Sequence, residues 1–213
     1  MAYDLEEQEQ LATIKAWWER WGNLVLTAVT AVLLAIAAFN GWRWYERHEA
    51  GNAAVLYEQF VGALAGTDLA RKKELAGTLI ERYGRTVYAP MAALQIAKAN
   101  AEAGDTGAAR AQLRWVIDKS GHAELVHIAR LRLAGVLLDE KAYDEALQVL
   151  SGEVPDALVA SFADRRGDIL LAMGKTDDAR TAYKDALDKA GGQHPMRPII
   201  QLKLDALPPV AAS

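Results

Sequence analysis

One stretch near the start limits what this chain can become. Residues 21–42, WGNLVLTAVTAVLLAIAAFNGW, contain no charged side chain, and the nearest charges are Arg20 and Arg43. As a helix this stretch is roughly 33 Å long, the thickness of a bilayer's hydrocarbon core. Trp17, Trp18 and Trp21 crowd one end, and Trp42, Trp44 and Tyr45 crowd the other. Indole and phenol rings are apolar bodies with one polar tip, which suits the depth of lipid headgroups. These six residues are the expected membrane-interface residues, with the lipid bilayer as their partner. Two other readings compete. A buried core helix is rarely this long without a charge. A cleaved signal sequence would use Ala35-Ile36-Ala37, but that site lies inside the apolar run, with Phe39 and Trp42 just after it. The expectation is an uncleaved single transmembrane helix.

Charge narrows the partners. The net charge is −4, and much of it sits in residues 1–20, where Asp4, Glu6, Glu7, Glu9 and Glu19 outweigh Lys15 and Arg20. There is no basic block, which argues against nucleic acid as a partner. The chain has no cysteine, hence no disulfide framework and no thiolate chemistry. Lys15 and Arg20 on one flank balance Arg43 and Arg47 on the other, so charge leaves the orientation open.

Beyond the anchor the pattern is all helical. Apolar residues recur at helical spacing over 53–64, 69–83, 88–103, 106–119, 123–140, 143–150, 156–173, 176–189 and 197–207. Short breaks such as Gly66-Thr67-Asp68, Gly104-Asp105 and Gly191-Gly192 separate them. Breaks this short imply antiparallel neighbours. Three of the breaks lead into similar segments: Gly104-Asp105-Thr106-Gly107-Ala108-Ala109-Arg110, Lys141-Ala142-Tyr143-Asp144-Glu145-Ala146-Leu147, and Gly174-Lys175-Thr176-Asp177-Asp178-Ala179-Arg180. Ala109, Ala146 and Ala179 recur at nearly the tetratricopeptide period of about 34 residues. The last unit fits best, with Gly167, Gly174, Ala179, Tyr183 and Ala186 at the small, turn, small, aromatic and small positions. The middle unit has Lys141 where a turn glycine is expected. The fold class is therefore all-α: one N-terminal transmembrane helix, then a tetratricopeptide-like α-solenoid of helix hairpins. The expected division is an acidic tail at 1–20, the transmembrane helix at 21–42, a juxtamembrane connector at 43–52, the repeat domain at 53–207 and a flexible tail at 208–213.

An acidic tail, one membrane helix ending in Gly41-Trp42-Arg43-Trp44, and degenerate repeats carrying Ala163-Asp164-Arg165-Arg166-Gly167-Asp168-Ile169-Leu170-Leu171-Ala172-Met173-Gly174-Lys175 resemble the ancillary-subunit family of the bacterial SecYEG translocon, the YfgM-like proteins. The resemblance implies an inner-membrane protein with a cytoplasmic N-terminus and periplasmic repeats. It implies the SecYEG translocon and a membrane-anchored periplasmic prolyl-isomerase-type chaperone as partners, and unfolded secretory proteins as clients. The implied role is a scaffold that links emerging chains to periplasmic chaperones. A tetratricopeptide adaptor for envelope assembly or cell division is an alternative. So is a regulator that holds a cytoplasmic signalling protein through the N-terminal tail.

No arrangement for catalysis, metal or cofactor stands out. His122 and His127 lie off any shared ligand face of a helix. Asp164 and Asp168 share a face, but Arg165 and Arg166 beside them suggest a solvated charged surface. The expectation is a non-enzyme. In stacked hairpins the first helices line the concave face, which puts Met91, Leu94, Ile128, Leu131, Leu138 and Leu171 there as candidate protein-binding residues. Such an apolar groove would be covered either by a partner or by the last helix, with Ile199, Ile200, Leu202, Leu204 and Leu207, folding back. Internal cover is the favoured expectation.

Overall fold

The computed structural model describes residues 2–192 and 194–209, with side chains from residue 9 onward. The acidic side chains Asp4, Glu6 and Glu7, and the expected flexible tail from residue 210, lie outside that description. Among the described residues there are nine helices and no strand: α1 (Ala2–Leu64), α2 (Leu69–Arg82), α3 (Tyr88–Glu102), α4 (Thr106–Lys119), α5 (Ala123–Asp139), α6 (Tyr143–Val149), α7 (Asp156–Ala172), α8 (Thr176–Ala190) and α9 (Arg197–Asp205). The chain divides into two compact units, Met1–Gly51 and Asn52–Ser213.

The first unit is helical from Ala2 onward. Its apolar window has a mean hydropathy of 2.2, and only 6% of that window is buried within the protein. A core helix of a soluble domain would be mostly covered; this one is long and apolar enough to cross a membrane. Two of its polar side chains bond within the helix itself. Thr27 Oγ1 donates to the Asn23 carbonyl at 2.7 Å, and Trp42 Nε1 donates to Glu46 Oε1 at 2.7 Å.

Gly51 lies inside α1, which runs uninterrupted to Leu64. A glycine inside a helix costs about 1 kcal/mol. Burial of Ala53 and Phe60 against Leu75, Ala76 and Leu79 of α2 and Ala92 and Ile96 of α3 outweighs it. Asp68 caps α2 by accepting the Arg71 N–H, and Asp105 caps α4 by accepting the Ala108 N–H. Hairpins α3–α4, α5–α6 and α7–α8 follow, and the first helices stack, α3 on α5 and α5 on α7.

The three hairpin turns are geometric copies. Asp105, Ala142 and Lys175 each donate a backbone N–H to a carbonyl five residues back, on Asn100, Leu137 and Leu170, at 2.8, 2.8 and 2.9 Å. This is the Schellman closure of a helix end, and it needs a left-handed residue just before the donor. Gly104 and Gly174 supply it with φ of 80° and 78°, and Lys141 adopts it with φ of 62°. Only glycine takes that conformation without a steric cost. Lys141→Gly is therefore expected to stabilise the domain by about 0.5–1 kcal/mol, net of glycine's entropy. Thermal unfolding checks this, and an unchanged or lower Tm would contradict it.

Each hairpin is closed by one small residue facing one large residue. Ala109, Ala146 and Ala179 are fully buried in the second helices. In the first helices, seven residues before the turn, stand Ala97, Ala134 and Gly167; nine residues after the turn stand Leu113, Leu150 and Tyr183, all buried. The two alanines share the central core cluster with the two leucines, and the glycine faces the tyrosine. A β-carbon on Gly167 would lie 2.5 Å from Tyr183 Cε1.

Helix α6 has only seven residues, and the chain after it runs unwound to Pro155. Arg130 of α5 compensates for the missing turn. Its guanidinium donates to the carbonyls of Val149 at 2.9 Å, Glu153 at 3.1 Å and Ser151, while lying over the Phe162 ring.

Helix α9 does not cover the central groove, contrary to expectation. Ile200 and Leu207, with Leu204 beside them, join Ala163, Ala179, Tyr183, Ala186 and Leu187 in a separate cluster at the end of the solenoid. Ile199 and Leu202 face outward, 52% and 68% exposed. Polar contacts fix α9 where it lies. Arg197 donates to the Leu187 and Gly191 carbonyls at the end of α8, and Lys203 reaches the carboxylates of α7.

Candidate functional site

Helices α3, α5 and α7 present one face in common, and a groove of about 470 Å³ runs across it. Its apolar floor comes from Ala97 and Ala101 of α3, Leu113 of α4 and Val136 of α5. Its charged lining is Lys98, Arg132, Arg165 and a single carboxylate, Asp139. Gly135 leaves the middle open. A β-carbon there would find nothing closer than the Arg165 guanidinium at 3.7 Å.

This groove differs from the one expected from sequence. Leu94 is buried in the central core cluster, and Ile128, Leu131 and Leu138 are partly buried against it. Met91 is half-buried. Leu171 alone of the six is substantially open, at 39% exposure. The stripe of α5 that lines the groove is Arg132, Gly135 and Asp139, next to the Leu131–Leu138 stripe. On a helix that is apolar almost all round, the leucines drew attention. The informative signal was the one polar stripe at spacings of three and four.

The electrostatics of the lining are uneven. Lys98 Nζ sits 3.7 Å from Glu102, with both side chains more than 60% exposed, so the pair is loose and solvent-screened. Arg165 is 3.6 Å from Asp168, whose carboxylate already accepts the Tyr183 hydroxyl at 2.8 Å and faces Lys203. Arg132 donates one N–H to the Leu94 carbonyl at 2.8 Å. Among the described residues no carboxylate lies within ion-pair distance of it. Enough of its guanidinium is desolvated to pull its pKa below the usual arginine value.

Asp164 and Asp168 are not the solvated face expected from sequence. Asp164 is only 4% exposed and binds Lys203 Nζ through both oxygens at 2.8 Å. Burial raises its pKa despite that partner. Burial, with the hydrogen bond to Asp168 next, also raises the pKa of the Tyr183 phenol. The cluster locks α7, α8 and α9 together. The histidines stay apart: His122 precedes α5, and His127 holds Arg130 at 3.1 Å and meets the Phe162 ring edge-on. Among the described residues no group of histidines and carboxylates is arranged to hold a metal ion.

The aromatic residues flanking the apolar helix are all exposed: Trp17, Trp18, Trp21, Trp42, Trp44 and Tyr45. Trp44 stacks flat on His48 with ring centroids 5.4 Å apart, and Arg43 lies over the Phe39 ring.

Comparison with known proteins agrees with the architecture. A family model described as a tetratricopeptide repeat-like domain matches residues 15–209. A Haemophilus influenzae protein named "Ancillary SecYEG translocon subunit" is 29% identical over 91% of this chain and 94% of its own length. Proteins of the same name from Neisseria gonorrhoeae and Escherichia coli are 28% and 24% identical, covering 97% and 94% of this chain and 100% and 96% of their own lengths. No solved structure matches the chain.

Proposed function

The chain belongs to the tetratricopeptide repeat-like domain family, and from that premise we propose that it is a membrane-anchored interaction scaffold of the Sec translocon. One observation carries the reading. An exposed, charge-free helix of membrane-spanning length and a stack of hairpins with an open groove occur in one chain. That combination offers a tether and a docking surface. The relatives' shared name supplies the assembly that the tether serves. In this reading the six flanking aromatics sit at the two faces of the bacterial inner membrane, the N-terminus is cytoplasmic and the repeats are periplasmic. The repeats pass emerging secretory chains to a membrane-anchored chaperone of the prolyl-isomerase type. The role is binding rather than catalysis. The buried carboxylate cluster of Asp164 and Asp168 is engaged by Lys203 and Tyr183.

A photo-crosslinking amino acid at Val32, mid-span and exposed, tests this in intact membranes. Adducts with translocon subunits are expected, together with retention of the full chain in the membrane pellet after alkaline extraction. A chain that leaves the pellet, or that yields no translocon adduct, would overturn the proposal. A reporter active only after export, fused after Ser213, checks the orientation. Its silence would reverse the topology.

A further inference from the structure

We infer that the C-terminal end of the apolar run in α1 binds the phosphate headgroup of an anionic phospholipid on Arg43 and Arg47, with Ile36 and Phe39 against its acyl chains. The inference rests on the membrane-anchor reading and specifies which lipid the anchor takes. It starts from where the two guanidiniums sit. That of Arg43 lies over the Phe39 ring, 5.6 Å from its centroid. Phe39 belongs to the charge-free run 21–42, so this charge is drawn back one helical turn, to the edge of the hydrocarbon. Arg47 leans the same way, its Nε donating to the Arg43 carbonyl at 3.1 Å. Arginines at the end of a membrane helix ordinarily reach away from the hydrocarbon to keep their charge in water. Two that lean toward it lose hydration and call for an anion at that depth.

The chain does not supply one. Among the described residues no carboxylate lies within ion-pair distance of Arg43 or Arg47. Glu46, one turn on from Arg43, is engaged by Trp42 Nε1 at 2.7 Å. Glu49, two residues beyond Arg47, lies on the opposite side of the helix from it. The guanidinium forks are therefore open to a phosphodiester, whose two free oxygens they match. Spacings of four, three and four put Ile36, Asn40, Arg43 and Arg47 on one face, and all four are exposed. That strip runs from alkyl to amide to cation. A phospholipid presents acyl chain, ester carbonyl and phosphate in the same order. Trp42, Trp44 and Tyr45 mark the same level as headgroup depth. A soluble phosphate would leave Ile36 and Phe39 with nothing to hold.

The test uses the full chain in non-ionic detergent micelles and native mass spectrometry. Phosphatidylglycerol and phosphatidylcholine with identical acyl chains are added in equal amounts. The chain should retain phosphatidylglycerol over phosphatidylcholine by about twentyfold, because each basic residue at an anionic surface is worth about fivefold. Arg43→Gln and Arg47→Gln should each cut that preference by about fivefold, and the double variant should retain the two lipids equally. Arg20→Gln, at the other end of the apolar run, should leave the preference unchanged. All three arginines are exposed, so the variants keep the helix. Excess inorganic phosphate should not displace the lipid. Equal retention of both lipids by the wild-type chain, an unchanged preference in the double variant, the same loss in Arg20→Gln, or displacement by inorganic phosphate would overturn the inference. Flotation with phosphatidylcholine vesicles is scored on the same chain. Wild-type chain that floats but shows no lipid preference fails the lipid site alone. Chain that does not float fails the membrane-anchor reading itself.

Discussion

Lys203→Met should destabilise the repeat domain by about 3–5 kcal/mol at neutral pH, the cost of leaving a buried carboxylate without its cation. The methionine keeps the length and apolar stem of lysine, so packing is largely preserved and the lost charge dominates. The amine it removes sits 2.8 Å from both oxygens of Asp164 and within 3.0 Å of Asp168. The side chain of Asp164 is 6% exposed and that of Asp168 is 18% exposed, so water does not replace the amine. The loss should depend on pH with a definite sign. The folded-state pKa of Asp164 is raised, chiefly by burial. A carboxyl raised in the folded state contributes its stability below its ordinary value and loses it as pH climbs through the folded one. Removing Lys203 raises that pKa further and widens the window. The variant should then recover much of its stability as pH falls toward 3.8, the ordinary aspartate value. Thermal melts at neutral and acid pH measure this. A loss of equal size at both would mean that packing, not charge, was removed. Asp164→Asn in the same chain should restore part of the neutral-pH loss.

The helices were largely legible because their ends are written locally. Asp68 and Asp105 announce α2 and α4, and Gly104 and Gly174 close α3 and α7. These signals act over a few residues, so the expected 69–83 and 106–119 lie close to the observed Leu69–Arg82 and Thr106–Lys119. That α1 runs on past Gly51 was not legible, because Ala53 and Phe60 beyond it pack against α2 and α3, distant in sequence. The groove was half legible. Its helices followed from the repeat, but its lining did not. On an almost wholly apolar helix, the face turned to solvent depends on which neighbours pack against the other faces. The α7–α9 cluster was not legible. Lys203 is 39 and 35 residues from its two partners, and nothing near it in sequence marks it as buried.

The same cluster makes Gly167 hard to replace. Gly167→Ala should cost about 3 kcal/mol, at the upper end of the range for overpacking a core. The added carbon would lie 2.5 and 2.6 Å from Tyr183 Cε1 and Cδ1, well inside contact distance. The ring cannot swing aside cheaply. It is 1% exposed, its hydroxyl is held by Asp168 at 2.8 Å, and Lys203 lies 5.7 Å from its centroid. Alanine's better helix propensity returns only about 1 kcal/mol. The equivalent hairpins show which partner an alanine accepts. At the equivalent repeat positions stand Ala97 and Ala134 with Leu113 and Leu150, all four buried in one core cluster. The double variant Gly167→Ala with Tyr183→Leu rebuilds that pair in the last hairpin. It should be more stable than Gly167→Ala alone, a coupling that only residues in contact produce. It should remain below wild type, because Asp168 then loses the Tyr183 hydroxyl. Additive losses in the double variant would show that the two positions do not share one volume, and that the hairpins are not the structural copies their turns indicate.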